Sequence, residues 1–132
     1  MDKNESPPDY EPSIRMIAMP ADANPSGDIF GGWIMSLMDL AGASVAYEHA
    51  HGRVVTVAVD SISFHHPVAV GDAVSFYAEI NQVGNTSIST YVDVWVRGRE
   101  DGKPFRVTEG VYTYVAQDKN GRPRPVLGWK GK

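Results

Sequence analysis

No cysteine occurs among the 132 residues, which removes disulfides, thiolate nucleophiles and thiolate metal sites and fits a reducing compartment. Positive charge is also scarce: twelve Lys and Arg stand against sixteen Asp and Glu, for a net charge of -4. A chain with that balance offers no broad electropositive face to a phosphate backbone, so nucleic acid is excluded as a partner. Nor is a signal peptide expected. The opening MDKNESPPDYEP is acidic and polar, with neither a basic n-region nor an apolar h-region, and the cytoplasm is the expected location. What remains is an ordinary globular composition, 42% hydrophobic and 21% charged, in a chain long enough to bury roughly two-thirds of its unfolded surface.

Residues 1–12 mix Pro, Asp, Glu, Asn and Ser without periodicity and read as a flexible tail. Residues 117–132 (QDKNGRPRPVLGWKGK) carry Gly, Pro and five Lys or Arg, and read as a second, basic tail. Between them, residues 13–116 contain no linker, low-complexity tract or repeat and constitute one domain.

From Phe30 to Tyr47 the segment FGGWIMSLMDLAGASVAY carries a single charge, and helix formers outnumber β-branched residues. It predicts a buried helix, capped by Asp28 and closed by His49, His51 and Gly52. A membrane span is the competing reading, but the run is at the short end of spanning lengths and holds several Gly and Ser and one Asp. After it come strands. Val54 to Phe64 is rich in Val, Ile and Thr. In Ile88 to Arg97, Ile88, Thr90, Val92, Val94 and Val96 share one face, the period of a half-buried antiparallel strand, and residues 105–115 repeat the pattern. Turn signals at Gly71-Asp72, Gly84-Asn85 and Gly98 to Pro104 suit hairpins. With a short strand at Ile14 to Met19, these elements predict an α+β fold: one long helix with a curved antiparallel sheet wrapped around it. Free strand edges in such a fold are expected to pair across a two-fold axis, so a dimer is the minimum assembly.

Asp39 is the lone charge of the helix. A carboxylate on a buried helix costs several kcal/mol unless it is paired or protonated. Either it is hydrogen-bonded at a subunit interface, or it is a general base or nucleophile. The segment Asn24-Pro-Ser-Gly-Asp-Ile-Phe-Gly31-Gly32 is the second feature. Its residues suit plain turns. Leading directly into a helix, however, the segment also presents free NH groups and the positive end of the helix dipole to any ligand, and an anion or a polarised carbonyl would gain from them. Asp39 lies eight residues beyond Gly31, about 12 Å along a helix. One subunit cannot easily bring both to one reacting centre, which points to a site shared between chains. Gly32, Ser36, Ala43 and Ala46 recur with Asp39 at spacings of three or four, leaving room for an acyl chain and pantetheine arm or for a neighbouring element.

The segment N-P-S-G-D-I-F-G-G-W followed by M-D, then V-T-V-A-V-D-S-I-S-F, P-V-A-V-G-D, V-D-V-W-V and V-T-E-G-V-Y-T-Y-V-A, resembles the hotdog-fold acyl-CoA thioesterases of the bacterial acyl-CoA hydrolase branch over residues 14–116. The resemblance implies a hotdog fold and hydrolysis of acyl-CoA to a carboxylic acid and CoA, with no cofactor because CoA is part of the substrate. It assigns catalysis to Asp39, as general base or nucleophile, and to Asn24, which orients water or the intermediate. A backbone NH near Gly31 polarises the carbonyl. Gly32, Ser61, Phe64, Thr86, Ser87 and Arg97 are the expected substrate-binding residues, and relatives of this kind form dimers and often trimers of dimers. Many carry a basic residue after Val-Gly where this chain has Asn85, so Arg97, Arg99, Lys103 and Arg106 are the remaining candidates for CoA phosphates, or are simply solvated charges. The pair His65-His66 suggests a metal, but adjacent strand residues face opposite ways and no further His lies nearby, so no metal is expected. Trp33, Trp95 and the tyrosines read as core and interface residues. Two other functions remain in view: a non-catalytic acyl-CoA binding module, and a hydratase or dehydratase on the same fold, which would want a His beside the carboxylate.

Overall fold

The computed structural model describes residues 6–98 and 101–126. Strand β1 (Ile14–Ile17) is followed by a 3-10 turn at Pro20–Asp22, helix α1 (Gly31–Ala50), and strands β2 (Val54–Phe64), β3 (Ala73–Val83), β4 (Ser87–Arg97) and β5 (Pro104–Ala116). All the strands pair antiparallel in one five-stranded sheet of order β1-β3-β4-β5-β2, with α1 lying against β2, β3, β4 and β5. This is the expected arrangement of one long helix in a curved antiparallel sheet. No helix among the described residues is long and apolar enough to cross a membrane.

Side-chain period decides which face the helix meets. Ile88, Thr90, Val92, Val94 and Val96 of β4 are all buried, as their alternation predicts. They close on Ile34, Leu37, Met38 and Ala41 of α1 in a single core, and each large apolar side chain buried in this way contributes about 1.5–3 kcal/mol. The opposite face of β4 is less open than a half-buried strand would be. Asp93 and Trp95 are buried there too. Arg106 of β5 covers both: its Nε donates to Asp93 Oδ1 at 2.8 Å, its Nη2 to Oδ2 at 3.2 Å, and its guanidinium carbon stands 5.0 Å from the Trp95 ring centre.

The helix ends differ from expectation in their chemistry. Asp28 does not cap α1; the N-cap is Phe30, with no side-chain bond, because Asp28 is drawn into the preceding loop. At the other end His51, not Gly52, takes the left-handed conformation (φ 56°), and the Gly52 NH donates to Tyr47 O. Nor is α1 buried all round: Leu40 and Tyr47 are 59% and 55% exposed in the single chain.

Both terminal stretches are attached where they are described. Tyr10 packs edge-on against Tyr77, with ring centres 5.9 Å apart. Gln117 to Val126 folds back on the body rather than hanging loose. Buried Arg124 donates from Nη2 to Ala50 O at the helix C-terminus and from Nε to Gln117 O, and the Val126 NH donates to Asn85 O. Residues 1–5 and 127–132 lie outside the described residues.

Candidate active site

The loop before α1 folds around Asn24. Asn24 Oδ1 accepts from the NH groups of Ser26 at 2.9 Å and Asp28 at 3.1 Å, while its own NH donates to Asp28 O at 2.7 Å. Asn24 therefore does the turn chemistry its type suggests, and its side-chain oxygen is committed to the loop. Among the described residues nothing bonds its Nδ2, so the amide remains a free donor. Gly27 completes the turn at φ 90°, which a side chain would strain.

At the first turn of the helix, Trp33 and Ile34 donate back to Phe30 O, and among the described residues no bond takes the NH of Gly31 or Gly32. These are the orphan donors of a helix N-terminus. Phe64, from the end of β2, packs against the first of these glycines: a Cβ on Gly31 would meet its ring at 3.3 Å. The space beside this contact is a cavity of about 310 Å³ lined by Ile29, Gly31, Ile34, Phe64, His65 and the segment from His66 to Val68. The fold thus brings Gly31 and Phe64, two of the candidate residues, into contact. The walls formed by Ile29, Ile34 and Pro67 were not legible as site residues, since each is an unremarkable apolar residue in sequence.

Asp39 projects from the middle of α1 toward β2 and β5. Its Oδ1 accepts from Thr56 Oγ1 at 2.7 Å and from the Tyr114 phenol at 3.0 Å, and that phenol also lies 2.9 Å from Asp39 O. Among the described residues no bond reaches Oδ2. The carboxylate is partly exposed in the single chain rather than buried, so the burial cost argued from the sequence does not apply to one chain alone. Its charge still acts on its neighbours. Burial, then the charge of Asp39, pushes the Tyr112 phenol up to about 12, and the same causes in the same order push Tyr114 up further. Thr56 and Tyr114 carry no sequence signal of this role. Asp39 and Asn24 share no hydrogen-bond partner, and about 12 Å of helix separates Asp39 from Gly31.

The other expected substrate-binding residues are dispersed. Gly32 is exposed at the helix start, with nothing within 4 Å of its Cβ position. Ser61 is exposed at a register shift of β2 and adopts φ 58°, a conformation that costs a non-glycine residue about 1–3 kcal/mol. Thr86 and Ser87 stand at the β3–β4 turn, where Ser87 lines a shallow polar cleft of about 210 Å³ with Gln82, Gly84, Ser89 and Thr113. Arg97 and Lys103 are exposed around the β4–β5 turn. Arg99 lies outside the described residues, and Arg106 is already engaged by Asp93 and Trp95. His65 and His66 do not converge: His65 Nε2 pairs with Glu109 at 2.8 Å, and His66 Nδ1 donates to Arg106 O.

Among the described residues β2 pairs only with β5, which leaves its other edge unpaired there, and Val55, Val57 and Val59 are exposed along the strand. Met35, Leu40 and Tyr47 of α1 are exposed as well. Exposed apolar side chains and an unpaired strand edge are features that a second chain would cover.

With this geometry in hand, the sequence matches the family model of the thioesterase superfamily over residues 26–103. The chain is 50% identical over 125 residues to the acyl-CoA thioester hydrolase YciA of Salmonella typhimurium, covering 92% of this chain and 94% of that one. Among solved structures it superposes on a hexameric thioesterase of Yersinia pestis with a TM-score of 0.85, at 51% identity, covering 92% of this chain and 99% of that one. It also superposes on a hexameric hotdog fold thioesterase of Campylobacter jejuni with a TM-score of 0.83, at 44% identity, covering 89% and 90%.

Proposed function

The chain belongs to the thioesterase superfamily, and on that premise we propose that it hydrolyses acyl-CoA thioesters at a site completed by two subunits, with Asp39 of one facing Asn24 and the Gly31 amide of another. It is an acyl-CoA thioester hydrolase of the hotdog fold, like the relatives it matches over almost their whole length.

The observation that carries the mechanism is the asymmetry of Asp39. One oxygen is held by Thr56 and Tyr114 while the other is unbonded among the described residues, which suits a group that must present a lone pair to a reactant. Acting as a base, Asp39 takes a proton from water as the water oxygen attacks the thioester carbon. Acting as a nucleophile, it attacks that carbon itself, and water then cleaves the mixed anhydride. In both routes negative charge builds on the carbonyl oxygen, where the free NH groups of Gly31 and Gly32 and the Asn24 amide can stabilise it. The C–S bond breaks as the carbonyl re-forms, in the nucleophilic route before water enters, and CoA leaves as a thiolate that takes its proton from protonated Asp39 or from water without a dedicated acid. The cavity against Phe64 and Gly31 is suited to the apolar part of the substrate.

Sharing follows from distance. The span of α1 between Gly31 and Asp39 far exceeds the reach of one reacting centre, and the unpaired edge of β2 among the described residues, with exposed Val55, Val57 and Val59, supports a two-fold pairing that brings in a second chain. The hexameric relatives support a trimer of dimers. Release of free thiol from a series of acyl-CoAs by wild type and Asp39→Asn tests the chemistry; unchanged turnover in the variant removes Asp39 from the mechanism. Light scattering on a sizing column, with a hexamer expected, tests the assembly.

A further inference from the structure

Two buried tyrosines of β5 tie the sheet to the helix in parallel ways. Tyr112 donates from its phenol to Met35 O at 2.9 Å; Tyr114, two residues on, donates to Asp39 O at 2.9 Å, one helical turn further along. Only Tyr114 also reaches a side chain, with its oxygen 3.0 Å from Asp39 Oδ1. Its single proton is shared between two acceptors of the same residue, which locks the carboxylate against its own backbone. Thr56 holds the same Oδ1 from β2. The fold makes room for the phenol at Gly42, three residues after Asp39, where a Cβ would stand 2.5 Å from Tyr114 Oη and 2.6 Å from Thr90 Oγ1. Burial, and then the charge of Asp39, keeps the phenol protonated and able to donate well above neutral pH.

We infer that Tyr114 is a positioning residue for the proposed reaction, fixing Asp39 Oδ1 so that Oδ2 is the oxygen presented to water or to the thioester carbon. The inference rests on the role given to Asp39 above. A carboxylate free to turn would present its reacting lone pair only part of the time, and small misplacements of a reacting group lower rates steeply.

Tyr114→Phe removes one oxygen and keeps the ring. Tyr112→Phe is its control, losing the same phenol contact to the helix backbone but none to the carboxylate. In a thiol-release assay, Tyr114→Phe is expected to lower kcat about 10- to 100-fold, the range for one lost hydrogen bond to a charged group, with KM changed less than about twofold. Tyr112→Phe should stay within about threefold of wild type in both constants, because its phenol bonds the Met35 carbonyl and no group that touches the reacting atoms. Added to Asp39→Asn, Tyr114→Phe should change the residual rate by less than about twofold, because the group it acts through is gone.

A wild-type kcat in Tyr114→Phe overturns the inference and leaves the role of Asp39 standing. Wild-type turnover by Asp39→Asn overturns that role, and the inference with it. Equal losses in the two Phe variants overturn the inference as well, as does an unfolded Tyr114→Phe, by circular dichroism, beside a folded Tyr112→Phe; either result makes the phenol merely structural.

Discussion

Gly42→Ala sets helix propensity against packing at the point where helix and sheet come closest. In a helix interior Ala is preferred over Gly by about 1 kcal/mol, so propensity alone predicts a stabilised protein. The new methyl, however, would stand 2.5 Å from Tyr114 Oη and 2.6 Å from Thr90 Oγ1, about 1 Å inside ordinary van der Waals separation. Both hydroxyls belong to fully buried side chains, and the phenol cannot retreat without releasing Asp39. Overpacking of this kind costs about 1–3 kcal/mol, and the displaced hydrogen bond to a charged group about 1.5–3 kcal/mol more. Set against the propensity gain, the net loss is about 1.5–5 kcal/mol, a fall in Tm on the order of 10 °C for a chain of this size. Scanning calorimetry at one fixed protein concentration reads the stability, since assembly makes Tm concentration-dependent. Thiol release below the transition should fall alongside it. An Ala variant that melts at or above wild type with unchanged kcat refutes both the packing argument and the hold on Asp39.

Three further outcomes follow from the same structure. Tyr112 is raised to about 12 by burial and then by the charge of Asp39. A raised folded-state value means that the stability linked to it is complete below pH 10, the unfolded value, and is lost as pH climbs through the folded one; denaturant midpoints should be flat up to about pH 10 and fall between about pH 10 and 12. Val57→Asp, at the most exposed valine of the open β2 edge (55% exposed), should shift sizing-column elution toward the single chain and abolish thiol release in parallel; an active monomer would contradict a shared site. Arg124→Ala strips the buried guanidinium from Ala50 O and Gln117 O and should destabilise by about 1–3 kcal/mol without changing KM, as followed by urea unfolding.

The sequence carried the elements well because their signals are local. Period-two alternation located β4 and its inward face, and Gly71-Asp72 and Gly84 marked the turns on either side of β3. The helix was read from its composition, its ends less well. Asp28 looks like a cap in isolation, but the Asn24 loop makes a competing use of it. Asp39 and Gly31 were legible for a similar local reason, a charge in an apolar helix and a glycine at its start. What holds Asp39 was not. Thr56 and Tyr114 come from strands 17 and 75 positions away, and only the register of β2 on β5, which opposes Thr56 to Tyr114, brings them to one oxygen. The burial of Asp93 and Trp95 was hidden likewise, because it depends on Arg106 crossing from the neighbouring strand. The exposed Leu40 and Tyr47 of α1 looked like core in sequence because apolar residue types alone do not tell an exposed helix position from a buried one.

The account stands on a site shared between subunits, and hybrid assemblies test that most directly. Asp39→Asn and Asn24→Ala proteins, each inactive alone, would be dissociated together, reassembled in equal amounts and assayed for thiol release. Random pairing across a two-fold axis leaves one intact site in each mixed dimer, so about a quarter of wild-type activity should return. A mixture no more active than the average of its two inactive components would place both groups in one chain and contradict the account.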